Sequence, residues 1–358
     1  MIGCKKYLGG LDALKIFATL GIVFHHYQQD FGVRFKEFNF YGGLFDFGLL
    51  VELFFMISGF LLRYNDDNED KDYILKFTKK IIRLWPMAAI SSAFVIFLGF
   101  ESKILLGKWY EEISVSIWNW FISIFLLFQG NAFGDVYGLN NPVWYLCVLL
   151  ICYVIYYFIC FRCCNITIER IFFILMIFVG SGIIQYGISL PFATIQNGRG
   201  YVAFFIGVIL CDVCRNISQK KVLLCATIGG GFFMGLLIFA YETVNANLRM
   251  ILNFVIYPTI IVWAVCLEFV NRICNNKIIN FFGKTSYEVY IWHYPFTLLI
   301  NILAAYFSIE IKHTYGTMLA YAILIEIIAV FVYKLVENPL TKLIKAHVEK
   351  NINNKTTE

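Results

Sequence analysis

VWYLCVLLICYVIYYFICF, residues 143–161, carries no charged side chain from end to end. A bilayer crossing needs about 20 predominantly apolar residues as a helix. This run is too long for a buried strand and has no strict apolar–polar alternation. It reads as a transmembrane helix. Further apolar runs lie at about 11–29, 42–63, 86–100, 113–129, 171–190, 200–214, 222–241, 250–268, 286–307 and 316–336. Of the chain's 358 residues, 60% are hydrophobic, 18% aromatic and 15% charged, and the mean hydropathy is +0.71. A soluble domain is roughly 45–50% apolar and about 25% charged. Soluble enzyme, disordered chain and secreted disulfide scaffold are excluded. There is no long polar block from which to build a sizeable domain outside the membrane.

The charges sort the runs. Lysine and arginine total 29 and the formal net charge is +5, but the basic residues cluster in short segments between apolar runs. That is membrane topology, with no sign of nucleic-acid binding. Lys5 and Lys6 place the N-terminus in the cytoplasm. Residues 64–85, with Lys71, Lys76, Lys79, Lys80 and Arg83, then return there. If 86–129 crosses once, the segments around Arg162/Arg170, Arg215/Lys220/Lys221 and Arg272/Lys277/Lys284, and the C-terminal tail, all become cytoplasmic as well. If it crosses twice, all fall outside. The sequence therefore predicts an all-α polytopic bundle of about ten transmembrane helices with both termini inside. One part of 86–129, carrying Trp109, Trp118 and Trp120, is expected to be re-entrant or interfacial. Residues 1–340 form one membrane-embedded domain, and 341–358 a polar, frayed cytoplasmic tail.

The 11 cysteines do not make a metal site. Cys211–Cys214 has CxxC spacing and Cys163–Cys164 is vicinal, but no histidine joins them, and a metal needs about four ligands at suitable spacing. Most of the thiols lie in apolar runs as small hydrophobes.

Ionisable residues within spans are costly and each is a site hypothesis. They are Lys15, His25, His26, Glu52, Glu288, His293 and Glu326. Lys15 and His26 are 11 residues apart, about three helical turns, so they share a face about 16 Å apart along the axis; His25 is rotated by about 100°. Lys15 can equally snorkel to headgroups, and His26 can be a packed core histidine. Lys80 and Arg83 lie one turn apart in Phe77-x-x-Lys80-x-x-Arg83-x-x-Pro86, a spacing that suits phosphate or lipid headgroups. Ser286, Tyr290 and His293 fall on one side of a helix.

These stretches, in order, resemble membrane-bound acyltransferase family 3, the integral-membrane enzymes that O-acylate bacterial surface glycans. The resemblance runs from about residue 7 to 340. Lys15 through His26 resembles its basic-residue-x10-histidine signature, usually begun by Arg. Glu52 through Phe60, including Ser58 and Gly59, resembles the FFxxSGF segment, and Phe77–Pro86 the basic-x-x-Arg-x-x-Pro loop. Asn141-Pro142-Val143-Trp144-Tyr145-Leu146 resembles the Trp-x-Leu start of a span, with Leu149 where many members carry Glu. Ser286-Tyr287 with Tyr290, His293 and Pro295 resembles SYxxYxxHxP, and Glu337-Asn338-Pro339 the closing Glu-x-Pro.

The resemblance implies an O-acyltransferase in the bacterial cytoplasmic membrane. It would use acyl-CoA, expected to be acetyl-CoA, as co-substrate with no bound cofactor or metal. Its partners would be membrane lipids, acyl-CoA and a glycan acceptor. It implies His26 and Lys15 as catalytic residues, His26 acting as general base or acyl carrier. Lys80, Arg83, Ser58, Ser286, Tyr287 and His293 would bind the donor, and Glu52, Trp144, Tyr290 and Glu326 would line the cavity or acceptor site. Some members add an extracellular hydrolase-like domain, for which 358 residues leave no room. Two other readings stay open: a transporter or lipid-linked glycan translocase, weakened by the lack of an internal repeat, and an assembly scaffold without activity.

Overall fold

The computed structural model describes residues 7–43, 45–66, 72–109, 116–133, 136–163, 165–239 and 248–356. Lys5, Lys6, Lys71 and Cys164, which figure in the sequence reading, lie outside these stretches. Every regular element among the described residues is helical. In chain order they are α1 (Gly9–Asp30), α2 (Leu50–Asn65), α3 (Tyr73–Leu106), α4 (Ile117–Ile124), α5 (Trp144–Arg162), α6 (Ile166–Tyr186), α7 (Ile195–Asn216), α8 (Gln219–Phe239), α9 (Leu248–Cys266), α10 (Glu268–Cys274), α11 (Lys277–Tyr306), α12 (Tyr315–Val332) and α13 (Asn338–Thr356).

Among the described residues, eight helices are long and apolar enough to cross a membrane: α2, α3, α5, α6, α7, α9, α11 and α12. The chain is a polytopic helical membrane protein. Two further helices of similar length, α1 and α8, occupy the remaining long apolar runs; α1 includes Asp12, Lys15 and Asp30. The segment expected not to span is α4, whose 8 residues rise only about 12 Å. Ser116 caps it by accepting from the Asn119 N–H at 3.1 Å.

Two boundaries differ from the sequence reading. The basic stretch 73–85 is the opening of α3, not a loop. Asp72 caps that helix, accepting from the Leu75 N–H at 2.9 Å. At 34 residues, about 51 Å, α3 exceeds a hydrocarbon core of about 30 Å. The tail read as frayed is helix α13, which continues from a π-turn over Tyr333–Glu337. Leu340, Leu343 and Ile344 recur there at helical spacing despite the polar composition.

The chain divides into two compact units. The first comprises residues 1–22, 47–71 and 152–284. Its centre is the packing of α2 on α7. Without side chains, Gly59 of α2 meets the Phe204 carbonyl and Gly207 of α7 meets the Met56 carbonyl; a Cβ at either site would collide with backbone. Such small-residue contacts are how helices pack where no hydrophobic effect draws them together. The glycine of the FFxxSGF segment is thus explained by helix packing. α6 joins α7 in the same way through Gly180 and Gly198.

The second unit comprises residues 23–46, 72–151 and 285–358. Val95 and Leu98 of α3, Leu139, and Leu298 and Ile302 of α11 form an apolar cluster there. Asn140, fully buried, donates from Nδ2 to the Ser91 hydroxyl at 3.1 Å and to the Ile291 carbonyl at 3.0 Å. This side chain ties the segment before α5 to α3 and α11.

Candidate functional site

In the second unit, the C-terminal half of α1 presents two adjacent histidines with different surroundings. His25 is buried. Its Nδ1 lies 3.0 Å from Asp46 Oδ1 and 3.4 Å from the Phe40 carbonyl, and its ring meets Tyr41 edge-on at 5.1 Å. The connection between α1 and α2 therefore holds it. His26 is half-buried and turns to α11, where its ring centroid is 5.0 Å from that of His293, with the planes 30° apart. His26 Nδ1 lies 3.0 Å from Gln29 Oε1.

His293 is fully buried. Its Nδ1 faces the Val289 carbonyl at 3.3 Å, and its Nε2 has no hydrogen-bond partner among the described residues. Its own carbonyl accepts from the Tyr321 hydroxyl at 2.7 Å. Carbonyl oxygens only accept, so a hydrogen bond from either ring to its carbonyl neighbour requires the Nδ1–H form, which puts the lone pair on Nε2. An acceptor buried without a donor costs free energy. A hydroxyl or amide N–H of a bound molecule would satisfy it.

Three family-like stretches converge elsewhere in the second unit. The Tyr287 hydroxyl donates to the Leu84 carbonyl at 2.5 Å, which seats α11 on α3 beside Arg83. Arg83 is exposed and Lys80 half-buried, one turn apart on α3. Glu337 of the π-turn and Glu288 are both buried, and Glu337 lies within electrostatic range of Glu288 and Arg83. The Trp292 indole N–H donates to Glu288 Oε2 at 3.0 Å. Arg83 thus presents a cation beside a buried carboxyl pair. Of the other expected residues, Tyr290 donates to the Pro142 carbonyl at 2.6 Å, and Ser286 is buried on the same helix. Glu326 accepts from the Thr285 hydroxyl at 3.0 Å. Trp144 is half-buried at the first residue of α5.

The first unit contains the other three. Lys15 forms an ion pair with Asp12, one turn before it, and the Tyr7 hydroxyl donates to the same carboxylate at 2.6 Å. Burial and that carboxylate push the Tyr7 phenol above its usual range. Ser58 is half-buried in mid-α2. Glu52, only 1% exposed, accepts two bonds from Arg199, from Nε at 2.8 Å and Nη2 at 3.0 Å, and Arg249 Nε lies 3.3 Å away. The sequence reading missed both arginines. Each stands near the start of its helix, just outside the apolar run that marks the span, and that position is the signal that could have found them. Gln29 was missed too; its i+3 spacing from His26 was visible.

The fold defines a polytopic helical membrane protein, and its paired imidazoles are groups able to take up and return a proton. Residues 8–334 match the acyltransferase domain family, and the chain belongs to that family. It is 25% identical over 379 residues to the O-acetyltransferase OatA of Staphylococcus aureus strain NCTC 8325, an alignment covering 94% of this chain and 58% of OatA. The OatA of strain COL matches with the same figures. The chain thus spans little more than half the length of these curated relatives. No solved structure matches it.

Proposed function

We propose that this protein is an integral-membrane O-acetyltransferase that moves an acetyl group from cytoplasmic acyl-CoA to a hydroxyl of a cell-surface or lipid-linked glycan. The bacterial cytoplasmic membrane is its place, with both termini on the cytoplasmic side. The family, and relatives named O-acetyltransferases, support the reaction class. The observation that carries the chemistry is the His26–His293 pair, with ring centroids 5.0 Å apart and His293 Nε2 buried without a hydrogen-bond partner among the described residues.

In this reading His26 Nε2 takes the proton of the acceptor hydroxyl as its oxygen attacks the thioester carbonyl. The C–S bond breaks, and the imidazolium returns the proton to the leaving thiolate, giving free CoA thiol. Within the second unit, Arg83 and Lys80 bind the donor's phosphates, and Ser286, Tyr287 and His293 bind its body. Lys15 orients the donor, its ammonium steadied by Asp12. Trp144, Tyr290, Glu52 and Glu326 serve the acceptor side. CoA-thiol release from acetyl-CoA by the detergent-solubilised protein, alongside O-acetyl content of surface glycan in cells with and without it, tests the proposal. His26→Ala should lower transfer at least ~100-fold, the lower range for a general base. A folded His26→Ala protein with wild-type transfer would overturn the role of His26. An absence of thiol release together with unchanged glycan would overturn the reaction.

A further inference from the structure

The Gln29 side chain is exposed at the last turn of α1, and it makes one described side-chain contact, with His26 Nδ1 at 3.0 Å. An exposed glutamine is an unusual partner for a histidine inside a membrane protein. It fills no core, and an exposed hydrogen bond contributes little to stability. What it does contribute is direction. With its amide oxygen turned to the ring at 3.0 Å, Gln29 accepts only from the Nδ1–H form, which leaves the basic lone pair on Nε2. A ring free to adopt the other form would carry its proton on Nε2, where it could not act as a base.

We propose that Gln29 is a positioning residue that holds His26 in the Nδ1–H tautomer. The proposal deepens the assignment of His26 as the base and rests on it for its catalytic consequence, but the tautomer is measurable without any reaction. A neutral amide orients the ring without stabilising the imidazolium as a carboxylate would. His25 is a second local partner for the ring, edge-on at 5.0 Å from the same helix. Asp46, from the connection after α1, interacts with His26 electrostatically while contacting His25, and His293 faces the ring from α11. These groups remain in every Gln29 variant, so a difference between variants reports on Gln29.

The chain has 5 histidines, few enough for nitrogen NMR of histidine-labelled full-length protein in detergent, with His26 assigned by His26→Ala. The wild type should show His26 as Nδ1–H. Gln29→Met, similar in shape but unable to accept from N–H strongly, should shift the ring toward Nε2–H and lower CoA-thiol release from acetyl-CoA about 10-fold, the scale seen when an orienting partner of a functional histidine is removed. Gln29→Glu keeps an acceptor, so it should keep the Nδ1–H form and most of the activity. Its acid limb of kcat/KM should move up by about one pH unit, because the carboxylate favours the imidazolium. A merely structural glutamine would give no such shift. A wild-type ring in the Nε2–H form, or a Gln29→Met protein with wild-type tautomer and rate, would overturn the proposal. If His26→Ala stays active, the functional reading of His26 fails, while the tautomer measurement still decides the role of Gln29.

Discussion

Each unit buries a polar cluster among helices, and the two clusters are finished differently. In the first unit Arg63, 2% exposed, donates from Nε to Asp212 Oδ1 at 2.8 Å and from Nη2 to Oδ2 at 3.3 Å. Glu169 lies 3.3 Å from its Nη1, and Arg170 adds a bond to Asp212 at 2.9 Å. Tyr156, also in contact with Arg63, donates to Asp66 at 2.8 Å. Cations and carboxylates answer one another. In the second unit His293 Nε2 is left open, with His26 beside it. The closed cluster joins α2, α5, α6 and α7. The open one holds reactive atoms in place without satisfying them. Every ionisable group inside a span is a site hypothesis, and Arg63 shows how a network completed by counter-charges looks.

That contrast can be broken by mutation. The largest expected effect is on stability: Arg63→Ala leaves buried carboxylates short of a partner and should cost about 3–5 kcal/mol, read as a lower unfolding temperature in detergent. Preserved thermal stability would mean that the first cluster is not structural. Next comes His26→Ala, whose ~100-fold loss of rate should appear without a comparable loss of stability. Arg83→Ala should weaken acetyl-CoA binding by about 10-fold, on the scale of a charge-assisted hydrogen bond of 1.5–3 kcal/mol. Wild-type binding should weaken with added salt, since Arg83 is exposed and its attraction for phosphate is screened; a direct titration with unchanged affinity would remove Arg83 from the donor site. The smallest effect belongs to His25→Ala. His25 contacts Asp46 and Phe40, so the rate should stay within a few-fold of wild type. A dead His25 variant beside an active His26 variant would reverse the assignment.

Much of the helix count was legible, because a run such as 143–161 leaves few alternatives to a crossing helix. The short α4 was legible through the placement of basic segments. The separation of His25 from His26 was legible as helical phase, and the structure turns the two rings to different neighbours. The partners of the charges were not. Glu52 finds Arg199 at a separation of 147 residues, and no local pattern links them. Tyr287 reaching the Leu84 backbone and Glu337 reaching Arg83 depend on which helices become neighbours. The start of α3 was misplaced because its first turns are basic, and charge outweighs helical phase in an apolarity reading.

The α2–α7 pairing has a consequence for how the protein is made. Both ionisable groups of α2 receive a counter-charge from α7: Glu52 from Arg199 and Arg63 from Asp212. The two partners arrive 147 and 149 residues later in the chain. At synthesis rates of about 5–20 residues per second, α2 exists for roughly 7–30 seconds before its partner emerges. During that wait Glu52 lacks its counter-charge and Arg63 has only Glu169 of α6; both stand near the helix ends, so each disfavours entry into lipid by less than the about 2.5–3.5 kcal/mol of a charge at a helix centre. Residence beside the insertion machinery, or near the headgroups, must bridge the interval. A nascent chain stopped before residue 195 should therefore hold α2 loosely, and one extended past residue 216 should lock it.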